Sequence, residues 1–183
     1  MPSKDELVAA AGQRVPDVIS PNLDVLFCGI NPGLWSAAVG HHFARPGNRF
    51  WKVLAGAGFS AEVLPPESDR QLPALGLGVT NLVGRATATA AELGPGELRA
   101  GARRLEVKAR RWQPRFVALV GMTAYRTAFE RPKAGIGEQL DSIGGARAWV
   151  LPNPSGLQAR YQLADLVAAY SELRRQVAVS DCR

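Results

Sequence analysis

Two asparagines stand in settings where they could do chemistry. Asn31 lies in GINPGL (29–34) and Asn153 in NPSGL (153–157), and a proline follows each. A residue before proline is driven out of the helical region, so each side chain projects from a stiff, extended loop. The glycines at 29, 33 and 156 let a ligand or another backbone come close. A carboxamide donates and accepts hydrogen bonds but takes up no proton at neutral pH. The pair therefore suits hydrogen bonding to a ligand better than acid–base work. The same residues also read as two turns ending two strands, with Ser155 or Asn153 capping the helix that follows. A phosphate cradle fits poorly, since no G-x-G-x-x-G or G-x-x-x-x-G-K-[ST] occurs and Pro32 removes an amide from the loop that would supply donors.

These loops need strands to hold them. Four apolar runs read as strands: Leu23–Gly29, Gly78–Val83, Phe116–Gly121 and Ala148–Pro152, each followed by turn residues. The first and last run into the two asparagine loops. Between them the pattern predicts helices over Asn48–Gly58, Glu97–Trp112 and from Leu163 to about Val179. In the last, Leu163, Leu166, Val167, Tyr170, Leu173 and Val177 recur at three- and four-residue spacing. Apolar strands alternating with helices imply an α/β fold: a three-layer α/β/α sandwich on a short, mainly parallel four-stranded sheet, with ligands bound beyond the carboxyl ends of the strands. One domain over 1–183 is expected, with residues 1–20 as an N-terminal helix or arm.

Twenty-two basic and sixteen acidic side chains give a net charge of +6, which favours polyanionic partners such as nucleic acid. Nine basic residues against three acidic ones fall within 97–131, and they read either as a phosphate-facing stripe or as a solvated helix face. Cys28, Cys182, His41 and His42 have neither disulfide nor metal-ligand spacing, so no metal or cofactor is expected and a reducing cytoplasm suits the chain. The uncharged stretch from Val25 to Ala44 is interrupted by Asn31, Pro32, Gly33, Gly40 and two histidines, which makes it a poor membrane span, and MPSKDELVAA has no apolar core of the kind expected of a signal peptide. A monomer is the expectation.

Four ordered motifs, GINPGL (29–34), FARPGNRFWKVL (43–54), GVTNLV (78–83) and VLPNPSGL (150–157), resemble the mismatch-specific uracil/thymine-DNA glycosylases of the uracil-DNA glycosylase superfamily, and the similarity spans most of the chain. The resemblance implies an enzyme that flips a nucleotide out of double-stranded DNA and hydrolyses the bond between base and sugar, at G:U and also at G:T or ethenocytosine sites. It implies that Asn31 positions the attacking water, that the loop amides, Ile30 among them, read the pyrimidine edge, and that Phe43 stacks on the base. Asn48 would bond within the pocket wall or cap the helix behind it. Asn153 would meet a phosphate or a water near the sugar. Ser155, Gly156, Leu157, Gln158 and Arg160 would meet the duplex, with Leu157 as the wedge that fills the gap.

Relatives in this superfamily that act faster carry aspartate at the place of Asn31 and histidine at that of Asn153, so a slow enzyme is implied. Strict uracil enzymes hold a tyrosine at the place of Gly33, where its ring collides with a C5 methyl group. Close relatives follow the wedge leucine with serine and arginine, whereas here Gln158, Ala159 and Arg160 follow. They also tend to carry an acid where Gly84 stands, so Arg85 is expected to be unpaired or available to phosphate. A non-catalytic nucleic-acid-binding module on the same fold remains the competing class.

Overall fold

The computed structural model describes residues 1–156 and 160–181. Its core is a sheet whose strands alternate between two apolar layers, as a period of two requires. In β1 (Val25–Gly29), Val25 and Phe27 face one layer while Leu26 and Cys28 face the other. β3 (Phe116–Val120) and β5 (Ala146–Leu151) divide in the same way. The first layer is closed by α3 (Phe50–Gly56) and α6 (Leu163–Asp181), whose Leu166, Tyr170, Leu173 and Val177 are buried. The second is closed by α4 (Pro95–Trp112) and α5 (Met122–Ala128). The two layers give the expected three-layer sandwich.

The sheet has five strands rather than four, in the order β2-β1-β3-β5-β4, with β2 at Leu77–Asn81 and β4 at Gly137–Ile143. β2, β1, β3 and β5 are parallel, and β4 pairs antiparallel with β5. The fifth strand corrects the sequence expectation. GEQLDSI is mostly polar and, as an edge strand, largely exposed, so it lacks the apolar run that marks its neighbours. The turn that joins β4 to β5 is Gly144-Gly145, both with positive φ, +59° and +95°, as a two-residue hairpin turn needs. Across the hairpin the Arg147 guanidinium bonds the Glu138 carboxylate at 2.7 Å.

α1 (Lys4–Ala9) begins in a reciprocal cap between Ser3 and Glu6 and packs on α2 (Leu34–Val39). Ala10 and Val15 behind it are buried, and Val18 bridges Val79 on the outer edge of β2. No helix among the described residues is long and apolar enough to cross a membrane.

α4 packs on the chain just after β2 through Gly101, where a Cβ would overlap the Leu82 carbonyl oxygen. Alanine normally favours a helix interior over glycine, but here the backbone of Leu82 would have to move. Gly101→Ala is expected to destabilise by about 1–3 kcal/mol. At about 2–4 °C per kcal/mol for a chain of this length, a thermal melt reads that directly, and an unchanged or higher Tm would contradict the close approach.

Candidate active site

The strand order reverses at β1: one connection leads out to β2, and the chain returns on the other side as β3. Open α/β sheets form a crevice at such a point, beyond the carboxyl ends of the strands. A cavity of about 340 Å³ lies there. Each of the four parallel strands contributes its carboxyl end: Asn31 follows β1, Asn81 ends β2, Val120 ends β3 and Asn153 follows β5. Ile30, Gly33, Phe43, Asn48 and Ser155 line the same cavity, so the fold gathers seven of the residues singled out in the sequence.

The Asn31 side chain is anchored through its nitrogen. Nδ2 donates to the Arg85 carbonyl at 3.0 Å and to Thr87 Oγ1 at 2.7 Å, and the Thr87 hydroxyl passes its own proton to the Thr89 carbonyl at 2.7 Å. A carbonyl can only accept, so the amide cannot be turned the other way. Both N–H groups are thereby used, and Oδ1 is left as the acceptor. The 85–89 segment is itself tied down, because the Thr87 N–H donates to the Pro32 carbonyl and Thr87 bridges Gly33.

Asn153 is held in the opposite sense. Its Oδ1 accepts the Ser155 N–H at 2.9 Å, closing a turn that leaves Nδ2 as the donor. Asn48 Oδ1 accepts the N–H of Phe50, the first residue of α3, at 3.0 Å, and Asn48 lines the cavity.

Phe43 lies against Phe50, with ring centroids 3.9 Å apart and 18° between planes, and Phe50 meets Phe27 edge-on in the core. The backbone of Phe43 has φ +52°, a left-handed conformation that is strained for an aromatic residue. Flanking bonds hold it there: the His42 N–H to the Asp69 carboxylate and the Ala44 N–H to Ser36 Oγ. Gly29 makes room beneath, since a Cβ there would come within 2.7 Å of Asn81 Oδ1 and 3.3 Å of the Phe43 ring.

Not every residue picked from the sequence joins this cavity. Gly156 is exposed and packs on Gly47, whose carbonyl oxygen a Cβ at 156 would meet at 2.6 Å. Arg160 stacks over Tyr161 and borders a neighbouring cleft that also touches Ile30 and Asn153. Leu157 and Gln158 lie outside the described residues. The loop around them is gripped by Arg49, whose guanidinium donates to the carbonyls of Pro154, Ser155 and Tyr161.

Arg85 departs from expectation. It is ion-paired with Glu97 on α4 through two bonds of 2.7 and 2.9 Å, and this pairing together with the Gly94 N–H holds the Glu97 carboxyl at about 2. An acid twelve residues on replaces the one missing at Gly84. Several members of the basic stretch are likewise engaged: Lys108 with Asp17, Arg110 with Glu106, Arg115 with Asp24 and Arg131 with Asp141. α4 also runs away from the cavity, for the Trp112 carbonyl at its end accepts the N–H of Asn22, ahead of β1.

Asn81, His42, Thr87 and Arg45 line the cavity without having been singled out. For Asn81 the signal was available, because one amide closes an otherwise apolar strand in the GVTNLV motif. His42 and Thr87 gave no comparable signal. Among the described lining residues only His42 and Arg45 are ionisable, and no carboxylate borders the cavity.

Comparison with known proteins bears on the fold and the family. The solution NMR structure of a provisionally named uracil DNA glycosylase from Methanosarcina acetivorans superposes with a TM-score of 0.56, covering 89% of this chain and 98% of that one at 18% identity, a likeness of fold. The profile of the uracil DNA glycosylase superfamily matches residues 16–174, a span that takes in all five strands and both asparagine loops. The chain therefore belongs to the uracil DNA glycosylase superfamily, hydrolases that act on DNA.

Proposed function

We propose that this protein is a monofunctional, mismatch-directed DNA glycosylase that flips uracil and related pyrimidines out of a G:U or similar mismatch and releases the base by hydrolysis. The observation that carries the reading is the fixed Asn31 amide, nitrogen anchored and Oδ1 left to accept, in a cavity walled by Phe43 and free of carboxylates. Oδ1 can take one hydrogen of a water and so aim its lone pair at the anomeric carbon. As the C–N bond breaks, the base leaves with the electron pair, water supplies the hydroxyl to the anomeric carbon, and the proton that water sheds passes through solvent to the base anion. Among the described lining residues no carboxylate stands by as a general base, so the step depends on leaving-group ability, orientation and fixed dipoles around the departing base.

The other residues fit roles around that step. Phe43, backed by Phe50, offers a flat apolar surface for the extruded base. Asn153 Nδ2 suits a phosphate oxygen or a water near the sugar. Leu157 is assigned the gap in the duplex, on the loop whose flanks Arg49 holds. Double-stranded DNA is the partner, met by a single copy of the chain.

Incubating the protein with a G:U duplex and then treating it with alkali tests the proposal, since alkali breaks the strand at any abasic site. A cleaved strand supports the glycosylase. An intact strand from a protein that still binds the duplex would favour the non-catalytic module.

Binding to undamaged duplex should weaken with salt, and Arg45, exposed at the mouth of the cavity, should contribute. Arg45→Glu is expected to lower the log–log salt slope by about one, the share of one phosphate contact. Arg110→Glu, at the far end of α4, is the comparison and should leave it unchanged. Equal slopes for both variants would place the DNA elsewhere.

A further inference from the structure

A carboxamide presents nearly the same outline with its oxygen and nitrogen exchanged. One asparagine can therefore read either an O=C–N–H edge, as in uracil, or the reverse N=C–NH₂ edge of cytosine. Which it reads is decided by whatever holds it from behind. Behind Asn81 stands His42, a residue only 2% exposed.

The contacts of His42 determine its proton. Nε2 lies 2.9 Å from the Pro16 carbonyl oxygen, which can only accept, so Nε2 carries the hydrogen. Burial pushes the imidazole below its ordinary pKa and keeps the ring neutral, leaving a lone pair on Nδ1. Asn81 Nδ2 lies 3.4 Å from that nitrogen and donates to it. Asn81 Oδ1 is consequently turned away from His42, towards Gly29, which the edge of the Phe43 ring also borders. A base stacked on Phe43 thus meets an acceptor on that side.

We propose that His42 is a positioning residue that sets base specificity: by holding the Asn81 nitrogen it fixes Oδ1 as an acceptor for the N–H of an O=C–N–H edge. The site thereby takes deaminated, imide-type bases and turns away the amino-substituted edge of cytosine. This rests on the glycosylase reading. The discrimination comes from an unpaired buried group, since cytosine would set its ring nitrogen lone pair against Oδ1.

Several charges face the ring. Asp69 takes the His42 backbone N–H on Oδ2 and the neighbouring His41 on Oδ1, at 3.0 and 3.2 Å. Asp17, ion-paired with Lys108 and bonded by the Thr80 hydroxyl, is the other acid acting on it. Both acids favour protonation, while burial and Lys108 oppose it. Protonation would put a hydrogen on Nδ1, make Asn81 turn its oxygen inward and present N–H groups to the base. The preference for uracil should therefore hold at neutral pH and collapse only as pH falls below the ordinary imidazole range.

The test measures affinity, so that leaving-group ability does not enter. Duplexes carry 2′-fluorinated uracil or cytosine nucleotides, whose glycosidic bonds resist cleavage, each opposite an abasic analogue so that pairing strength is equal. Wild type should prefer uracil, and His42→Leu should reduce that preference at least about tenfold while binding an abasic product duplex as before. An unchanged preference in a folded variant overturns the proposal. Should His42→Leu fail to fold, the ring ¹⁵N shifts of the wild type decide. A neutral ring protonated on Nε2 at pH 7 supports the proposal, and an Nδ1–H ring or an imidazolium overturns it. Absence of base release from a uracil duplex by the wild type would be a different failure, that of the glycosylase reading itself.

Discussion

Asn31→Ala should bind a G:U duplex about as tightly as the wild type does while releasing the base about a hundredfold more slowly. The asymmetry follows from where the side chain points. Its nitrogen is spent on Arg85 and Thr87 within the protein, and only Oδ1 is left for the reaction. None of the bonds that Asn31 makes reaches a surface charge, so phosphate contacts are untouched. Alanine leaves the Arg85 carbonyl and Thr87 Oγ1 without their donor, but the site is half-buried and water can take its place. The measurement is single-turnover release beside equilibrium binding of the same duplex. Matching losses in the two would mean that Asn31 holds the loop together and does not place the water.

The second large effect concerns which bases enter. Position 33 lines the cavity and is exposed, its φ of −74° is open to any residue, and a Cβ there would meet nothing within 4 Å. A tyrosine can thus be introduced without disturbing the start of α2. The wild type should release uracil, 5-hydroxymethyluracil and thymine opposite guanine, because no side chain stands where the C5 substituent would lie. In Gly33→Tyr the ring should exclude the substituted bases and leave uracil, narrowing the spectrum by about a hundredfold or more, since a clash removes a competitor without adding any attraction for the remaining substrate. Ethenocytosine separates two contributions. It fits the open C5 side but lacks the N–H that Asn81 Oδ1 would accept, so it should be released more slowly than uracil. A wild type confined to uracil would show that another residue closes the C5 side.

Much of this arrangement was legible in the chain. Four strands announced themselves as apolar runs, because a strand covered on both faces has no polar side to show. Two of those runs end in Asn-Pro loops, and parallel strands bring their carboxyl ends to one edge of the sheet, so the meeting of Asn31 and Asn153 at one cavity followed from the strand pattern. The openness at Gly33 was likewise a property of residue type. β4 escaped because periodicity reports burial, and an edge strand of GEQLDSI buries little.

What the sequence could not determine was direction and partnership. The Asn31 amide is oriented by atoms 54 and 56 positions away, and Asn81 by a ring 39 positions back. Arg85 finds its acid on α4 rather than beside it in the chain, and part of the basic stretch is drawn into ion pairs that no count of charges reveals. Hydrophobic spacing records only whether a residue is inside or outside. An amide, an imidazole or a guanidinium takes its chemical role from which neighbour donates and which accepts, and those neighbours are brought together only when the sheet and its two helical layers close.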